Sequence, residues 1–253
     1  MKIGIAMALS NSHVIYLDHL IKSVLAHTPG FSYDWYVFCS PIEDSDRFNL
    51  SKKNKDSLSR LYPFKFKAVD AEEYNRKKRG YPIYFSIETF TLRDYDYVVY
   101  WGADMLALMD VSELFSWMTE NIKEEGDGIG MPMEHRRGNT FNNGSMMVTE
   151  KFLNDKTYRE LMEFPYWDKK YSDIYGHDQK IYNAYFRPEI TVVPSRFNCL
   201  VSECDCIPVG QKIVLLHYFL KPTQEDPRRR LAKWMIDEWG KYDDKEGRYY
   251  FYE

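Results

Sequence analysis

Four polar groupings in this chain have the residue types and the placement to handle a polar ligand. Asp104 follows Tyr97, Val98, Val99, Tyr100 and Trp101 with only Gly102 and Ala103 between them. That unbroken β-branched and aromatic run reads as a central strand buried on both faces of an α/β sheet. Asp104 therefore sets a carboxylate just past the carboxyl end of a core strand, where ligands of open α/β sheets bind. An ordinary turn residue would fit the same position, and the spacing alone leaves both readings open. His217 ends a second apolar run, Lys212 to Leu216, and Lys221 follows it; a lone histidine is also a common packed or surface residue. Asp178 and Gln179 project from the first turn of a helical segment, His177 to Phe186, with Ile181, Ala184 and Tyr185 on one face. Asn142, Asn143 and Gly144 form a turn within FNNGSMMV, able to offer amides to a polar ligand or to serve only as a turn.

Holding these groups requires strands and helices in alternation, and the chain supplies them. Lys2 to Ala8 reads as a strand, followed by a polar loop, Leu9 to Val14. A helix comes next with Leu17, Leu20, Ile21, Val24 and Leu25 on one face, stopped by His27, Thr28, Pro29 and Gly30. Asp34 to Cys39 is a second strand. A right-handed β-α-β crossover then places the first loop at the same sheet edge as Asp104. Signals weaken over Phe31 to Gly80: a helical stretch near Lys52 to Leu61, a strand from Phe64 to Val69, and a basic run, Arg76 to Arg79, that reads as a solvated loop or a binding feature. Ile83 to Leu92 predicts a helix with Ile83, Ile87 and Phe90 inward. Asp110 is placed to cap a helix running through Leu114 and Phe115. The alternation implies an α/β fold with a mostly parallel sheet. A last helix, Pro227 to Trp239, carries Leu231, Trp234, Met235 and Trp239 along one face and Arg228, Arg229, Arg230 and Lys233 near its start. It reads as docked on the domain, with contact at a membrane surface as the alternative.

Composition narrows the class. With 253 residues, 44% of them hydrophobic and 17% aromatic, the chain can build one large domain around a substantial core. A net charge of -4 excludes a dedicated nucleic-acid binder, which needs excess Lys and Arg to neutralise phosphates. No apolar run approaches the roughly 20 residues of a spanning helix, and MKIGIAMALS has no signal-peptide core, so a cytoplasmic protein is expected. Cys199, Cys204 and Cys206 match no standard zinc spacing.

Together these pieces resemble glycosyltransferase family 8, the retaining sugar-nucleotide enzymes that include glycogenin and the bacterial lipopolysaccharide galactosyltransferases. The resemblance runs from Lys2 to about Pro222. It rests on Tyr16-Leu17 with Lys22-Ser23-Val24, DYDYVVYWGAD leading into MDVSELF, the turn FNNG, HDQKIYNAYF, SRFN from Ser195 to Asn198, and His217 with Lys221-Pro222. Any one is weak; six in this order are specific. The resemblance implies a GT-A fold, a nucleotide-diphospho-sugar transferase domain with a mostly parallel mixed sheet flanked by helices. It would span residues 1–222, with 223–253 as a helical and aromatic tail packed on it.

Residue by residue, the resemblance implies an incomplete site. The second Asp of the family's D-x-D falls on Asp104 and the first on Gly102, so one ligand for Mn2+ or Mg2+ is missing. The family's metal-binding His falls on His217. Its diphosphate-binding Lys falls on Lys221, across a shortened loop. The Ala, Asp and aromatic residue that hold uracil correspond to Ala8, Ser10 and His13; a basic residue before the D-x-D strand corresponds to Ser86. Asp178 and Gln179 match the Asp-Gln pair beside the donor sugar, and Asn142 and Gly144 match the sugar-binding turn.

The implied activity is retaining transfer of a sugar from a nucleotide diphosphate, UDP-hexose by resemblance, to a glycan or other hydroxyl acceptor. Breaking the anomeric bond needs stabilisation of charge on the leaving phosphate, which a metal at Asp104 and His217 with Lys221 would supply. Gln179 would stabilise the cationic transition state and Asp178 would hold sugar hydroxyls. Asp178 and Glu134 are the candidate nucleophiles. The alternative is a non-catalytic sugar-nucleotide or glycan-binding protein on the same fold, argued from Gly102, Ser10 and Ser86. A nucleotidyltransferase is disfavoured because Leu9 to Val14 contains no glycine.

Overall fold

The computed structural model describes residues 1–40, 49–77, 82–122, 128–137, 140–169, 177–218 and 231–243. The first half runs β1 (Ile3–Ala8), α1 (Val14–His27), β2 (Asp34–Cys39), α2 (Lys52–Ser59), β3 (Lys65–Ala68), α3 (Ala71–Arg76), a 3₁₀ run Pro82–Thr91, β4 (Tyr97–Trp101), β5 (Met105–Ala107) and α4 (Ser112–Asn121). The second runs β6 (Ile129–Glu134), β7 (Thr140–Phe141), β8 (Ser145–Thr149), α5 (Asp155–Glu163), α6 (Asp178–Phe186), β9 (Ile190–Val193), β10 (Cys199–Leu200), β11 (Leu215–His217) and α7 (Lys233–Gly240).

The main sheet has the order β3-β2-β1-β4-β8-β6-β7, with β9 beside β6. Its β3-β2-β1-β4 half is parallel; β8 is antiparallel to both β4 and β6. Alternation along the central strands divides the core. Ile5, Val37 and Val99 join Leu17, Leu20 and Phe115 on one face, while Ala6, Phe38 and Val98 join Phe85, Phe90 and Tyr182 on the other. Burial on both faces is why these strands are continuously apolar in sequence. Winding reverses between β1 and β4, so Ala8 and Gly102 flank the crevice expected at such a switch point.

A smaller sheet, β10-β11-β5, sits beyond the end of β4. Only Gly102, Ala103 and Asp104 separate β4 from β5, and β11 runs antiparallel to β5 with His217 opposite Met105. That ladder carries a histidine from late in the chain to the carboxylate beside β5. Ser23 on α1 anchors β5 by accepting the Ala107 N–H at 3.0 Å. Asp110 accepts the Ser112 N–H at 2.8 Å at the start of α4, which holds its carboxyl below the usual range.

Several sequence expectations need correction. Pro82–Thr91 is 3₁₀ throughout; Ser86 and Thr91 hydroxyls bond back to the carbonyls of Ile83 and Glu88, which favours the tighter winding. Ile83 is 40% exposed rather than inward. On α6 the buried apolar residues are Ile181, Tyr182 and Phe186, because Ala184 and Tyr185 rotate toward the rim. The strand expected from Lys212 begins at Leu215. In the C-terminal helix, Met235 and Trp239 are buried, with the Trp239 ring stacked on His19 at 4.4 Å, whereas Trp234 is exposed. Residues 227–230 lie outside the described residues.

Candidate active site

A cavity of about 310 Å³ opens at the carboxyl ends of β1 and β4. Its walls include Ala8, Ser10, His13, Asp104, Asn142, Gly144, Asp178, Gln179 and His217, which the fold gathers from five separate stretches of chain. Lys221 lies outside the described residues. Tyr100, Pro82 and Ile83 also line the cavity; nothing in their apolar spacing distinguished them from core.

In the cavity wall, His217 Nε2 lies 3.2 Å from Asp104 Oδ1, with the imidazole 8% and the carboxylate 20% exposed. Backbone pairing enforces the approach: Tyr218 N–H donates to the Asp104 carbonyl at 2.9 Å. Among the described residues, no group of three or more His, Cys, Asp or Glu side chains gathers as a metal centre. The two groups nonetheless suit a cation. Ligands each about 2.1 Å from one ion and at right angles to each other lie about 3.0 Å apart, close to the separation here.

Gly144 packs directly under the imidazole. A Cβ there would fall 2.6 Å from His217 Cε1 and 2.8 Å from Asn142 Oδ1. Gly144→Ala is therefore expected to push His217 away from Asp104, costing about 1–3 kcal/mol of stability from overpacking. Urea unfolding would measure this, and an unchanged midpoint would show that the ring has room to move.

Elsewhere in the cavity wall, the partners of Asp178 among the described residues are uncharged. Asn143 Nδ2 donates to its Oδ2 at 2.6 Å, Ser86 Oγ lies 2.9 Å from the same oxygen, and the Gln179 N–H donates to Oδ1 at 2.9 Å. Burial outweighs these contacts and raises the carboxyl above its usual range. Ser86 thus makes a direct contact with Asp178. A raised folded-state pKa favours the protonated form, so its stabilising contribution is present at low pH and lost as pH rises through the folded value. Relative to Asp178→Asn, the natural protein should lose Tm as pH rises from the carboxylate range toward neutrality. Each tenfold in proton affinity is worth about 1.4 kcal/mol, or about 3–6 °C for a chain of this size. A pH-independent difference in Tm would contradict the raised carboxyl.

Gln179 Nε2 donates to Glu134 Oε1 at 3.1 Å, and Asn142 Nδ2 donates to the same oxygen at 2.8 Å. Glu134 is 1% exposed and sits behind these amides, not in the cavity wall, which corrects its reading as a candidate nucleophile. With its NH2 directed at Glu134, Gln179 keeps acceptor capacity on Oε1, which receives Asn142 Nδ2 at 3.3 Å.

On the loop after β1, His13 Nδ1 lies 3.1 Å from Ser10 Oγ and 2.9 Å from Ser12 Oγ, its ring edge-on to Tyr16 at 5.3 Å. Burial lowers its pKa and the Asp104 charge partly opposes this, leaving a neutral ring at neutral pH. Asn11 ties the loop down, accepting from the Ser51 N–H and Asn54 Nδ2, each at 2.8 Å. Tyr100, pushed far up by burial and by the Asp178 charge, stays a neutral phenol in the cavity wall.

The parallel-antiparallel sheet, the switch-point cavity and the carboxylate just past β4 define a GT-A glycosyltransferase architecture. The solved structures agree in fold. The galactosyltransferase LgtC, in complex with donor and acceptor sugar analogs, superposes with a TM-score of 0.69 at 19% identity over 97% of this chain and 99% of that one. The WbbM bifunctional glycosyltransferase gives 0.66 at 16% identity over 95% of this chain and 49% of that one. Mouse xyloside xylosyltransferase 1 gives 0.60 at 13% identity over 86% and 98%. No curated protein sequence matches. The family model for glycosyl transferase family 8 matches residues 4–223, and the chain belongs to that family. It is a glycosyltransferase.

Proposed function

We propose that the protein moves a hexose from a UDP-linked donor to a hydroxyl of a glycan acceptor with retention of configuration. The observation that carries this reading is the cavity itself: Asp104 and His217 face each other at 3.2 Å in its wall, and the Asp178-Gln179 pair lines the same cavity. GT-A glycosyltransferases generally use a divalent metal with a nucleotide-sugar donor. Here Asp104 and His217 would hold Mn2+ or Mg2+, which when bound neutralises charge on the departing diphosphate. Ala8, Ser10 and His13 would seat the base, the neutral His13 ring offering a stacking face and Ser10 a hydroxyl in place of a carboxylate. Asn142 and the Gly144 backbone would support the sugar, and Asp178 would accept hydrogen bonds from its hydroxyls.

In transfer, the anomeric C–O bond breaks with its electron pair going to the diphosphate oxygen. The acceptor oxygen bonds to the anomeric carbon from the same face, and its proton passes to the departing phosphate. Gln179 Oε1 would stabilise the cationic carbon between these events. Same-face attack is favoured over a covalent intermediate because Glu134 lies behind the wall and Asp178 is tied by Asn143 and the Gln179 N–H, its remaining lone pairs being used by the sugar hydroxyls.

Residues 1–222 would form the catalytic unit and 223–253 a tail on it, supported by the packing of Met235 and Trp239 against Tyr16 and Tyr218. Exposed Trp234 is the support for a membrane-surface contact of α7. The test is donor hydrolysis over a panel of nucleotide sugars with and without manganese. Manganese-dependent release of UDP from a UDP-hexose is expected; binding without turnover of any donor would favour a sugar-nucleotide-binding protein instead.

A further inference from the structure

Resting on the cation reading of Asp104 and His217, we infer that Asn198 is a positioning residue that fixes the tautomer of His217. Asn198 enters the sequence only as the last residue of SRFN, two positions before the end of β10, and it is 3% exposed. Amide ends look alike and an imidazole has two tautomers, so each orientation must be pinned by a neighbour that acts in one sense only. The structure supplies such neighbours in series.

The Gly144 N–H can only donate, and it lies 2.8 Å from one end of the Asn142 side chain, which is therefore Oδ1. The opposite end, Nδ2, donates to the Glu134 carboxylate at 2.8 Å. Asn198 approaches Asn142 Oδ1 at 2.9 Å and must present Nδ2 to it. Its remaining end is Oδ1, 2.9 Å from His217 Nδ1. An amide oxygen only accepts, so Nδ1 carries the proton. In the neutral ring Nε2 then holds a lone pair, and that lone pair faces Asp104 Oδ1 at 3.2 Å. Two acceptors meet there, an arrangement that suits a bound cation. Gly144 against the ring leaves no side chain in its path.

The chain from Glu134 through Asn142 and Asn198 thus commits the proton to Nδ1, so that whenever the ring is neutral its lone pair lies on the metal-facing nitrogen. An imidazole without such a partner divides its population between tautomers, and only one of them can ligate through Nε2. With Gly102 in the first carboxylate position, His217 is one of two protein ligands, so its tautomer matters more here than in a site with three.

The test is long-range 1H–15N correlation NMR of metal-free, 15N-labelled protein at about pH 8, above the ordinary histidine range, with His217 assigned by its loss in His217→Gln. The expected signature is a pyrrole-type Nδ1 and a pyridine-type Nε2. Asn198→Leu should replace it by mixed or reversed types and weaken Mn2+ binding, measured calorimetrically with UDP present, by about 10- to 100-fold. Asn198→Asp, which still accepts from Nδ1–H although it turns a second acceptor toward Asn142 Oδ1, should keep Nδ1 pyrrole-type. A pyridine-type Nδ1 in the natural protein, or an unchanged signature in Asn198→Leu, overturns the inference. If Asn198→Leu does not fold, the natural and Asn198→Asp spectra still decide it. The natural signature together with no Mn2+ binding at any UDP concentration upholds the tautomer lock and overturns the cation reading alone.

Discussion

Gln179→Ala should lower kcat by about 10²–10³ while leaving UDP affinity within a few-fold. The magnitude is that of removing one preorganised polar group from a developing charge, and the split follows from where Gln179 acts. It lines the cavity where the sugar is proposed to sit, whereas the diphosphate is expected at Asp104 and His217. An interaction realised only as the anomeric carbon becomes cationic appears in kcat and in kcat/KM, not in ground-state nucleotide binding. The variant also removes one donor from Glu134 Oε1, while Asn142 remains on it. A modest loss of Tm is therefore expected and must be measured alongside. Equal losses in UDP affinity and turnover would assign Gln179 to nucleotide binding and remove it from the chemistry.

Gly102→Asp should raise Mn2+ affinity of the nucleotide-free protein by roughly 10- to 100-fold, because ligand number and charge set affinity in such sites. Gly102 does not occupy the left-handed region that favours glycine, unlike Gly30, Gly128 and Gly210. A Cβ added there would meet Asp104 Oδ1 at 3.2 Å and the Gly144 Cα at 3.7 Å, a tight but passable fit that directs a new carboxylate toward the old one. Without metal the two like charges repel, so the variant should be less stable than the natural protein until manganese is added. In the natural protein, metal and nucleoside diphosphate should bind cooperatively, each enhancing the other by the same factor. Calorimetry on both proteins with and without UDP reads all three effects. Tight manganese binding by the natural protein alone would mean that another group replaces the missing carboxylate.

Much of the fold was legible in the residues, for a physical reason. A strand covered on both faces must be apolar throughout, so Tyr97 to Trp101 announced itself, and the 3.6-residue periodicity of α1 did the same. Asp104 at a strand end and Asp178-Gln179 at a helix start could likewise be placed by local pattern. Local rules also misled in places: they put Ile83 in the core and Trp234 on the packed face of α7, because period alone cannot say where a neighbouring element stops covering a surface.

What the sequence by itself determined was the set of polar groups, their attachment to particular strand and helix ends, and the family those motifs resemble. What only the tertiary structure decided was their company. That His217 meets Asp104 depends on β11 pairing antiparallel with β5, a long-range register that no local spacing encodes. That Glu134 supports amides rather than facing a substrate depends on α6 and the turn after β7 closing over it. Hydrogen-bond direction is likewise collective. Asn198, distant in sequence from both Asn142 and His217, acquires a role only when a backbone N–H at Gly144 and a carboxylate at Glu134 fix the sense of the whole chain of amides.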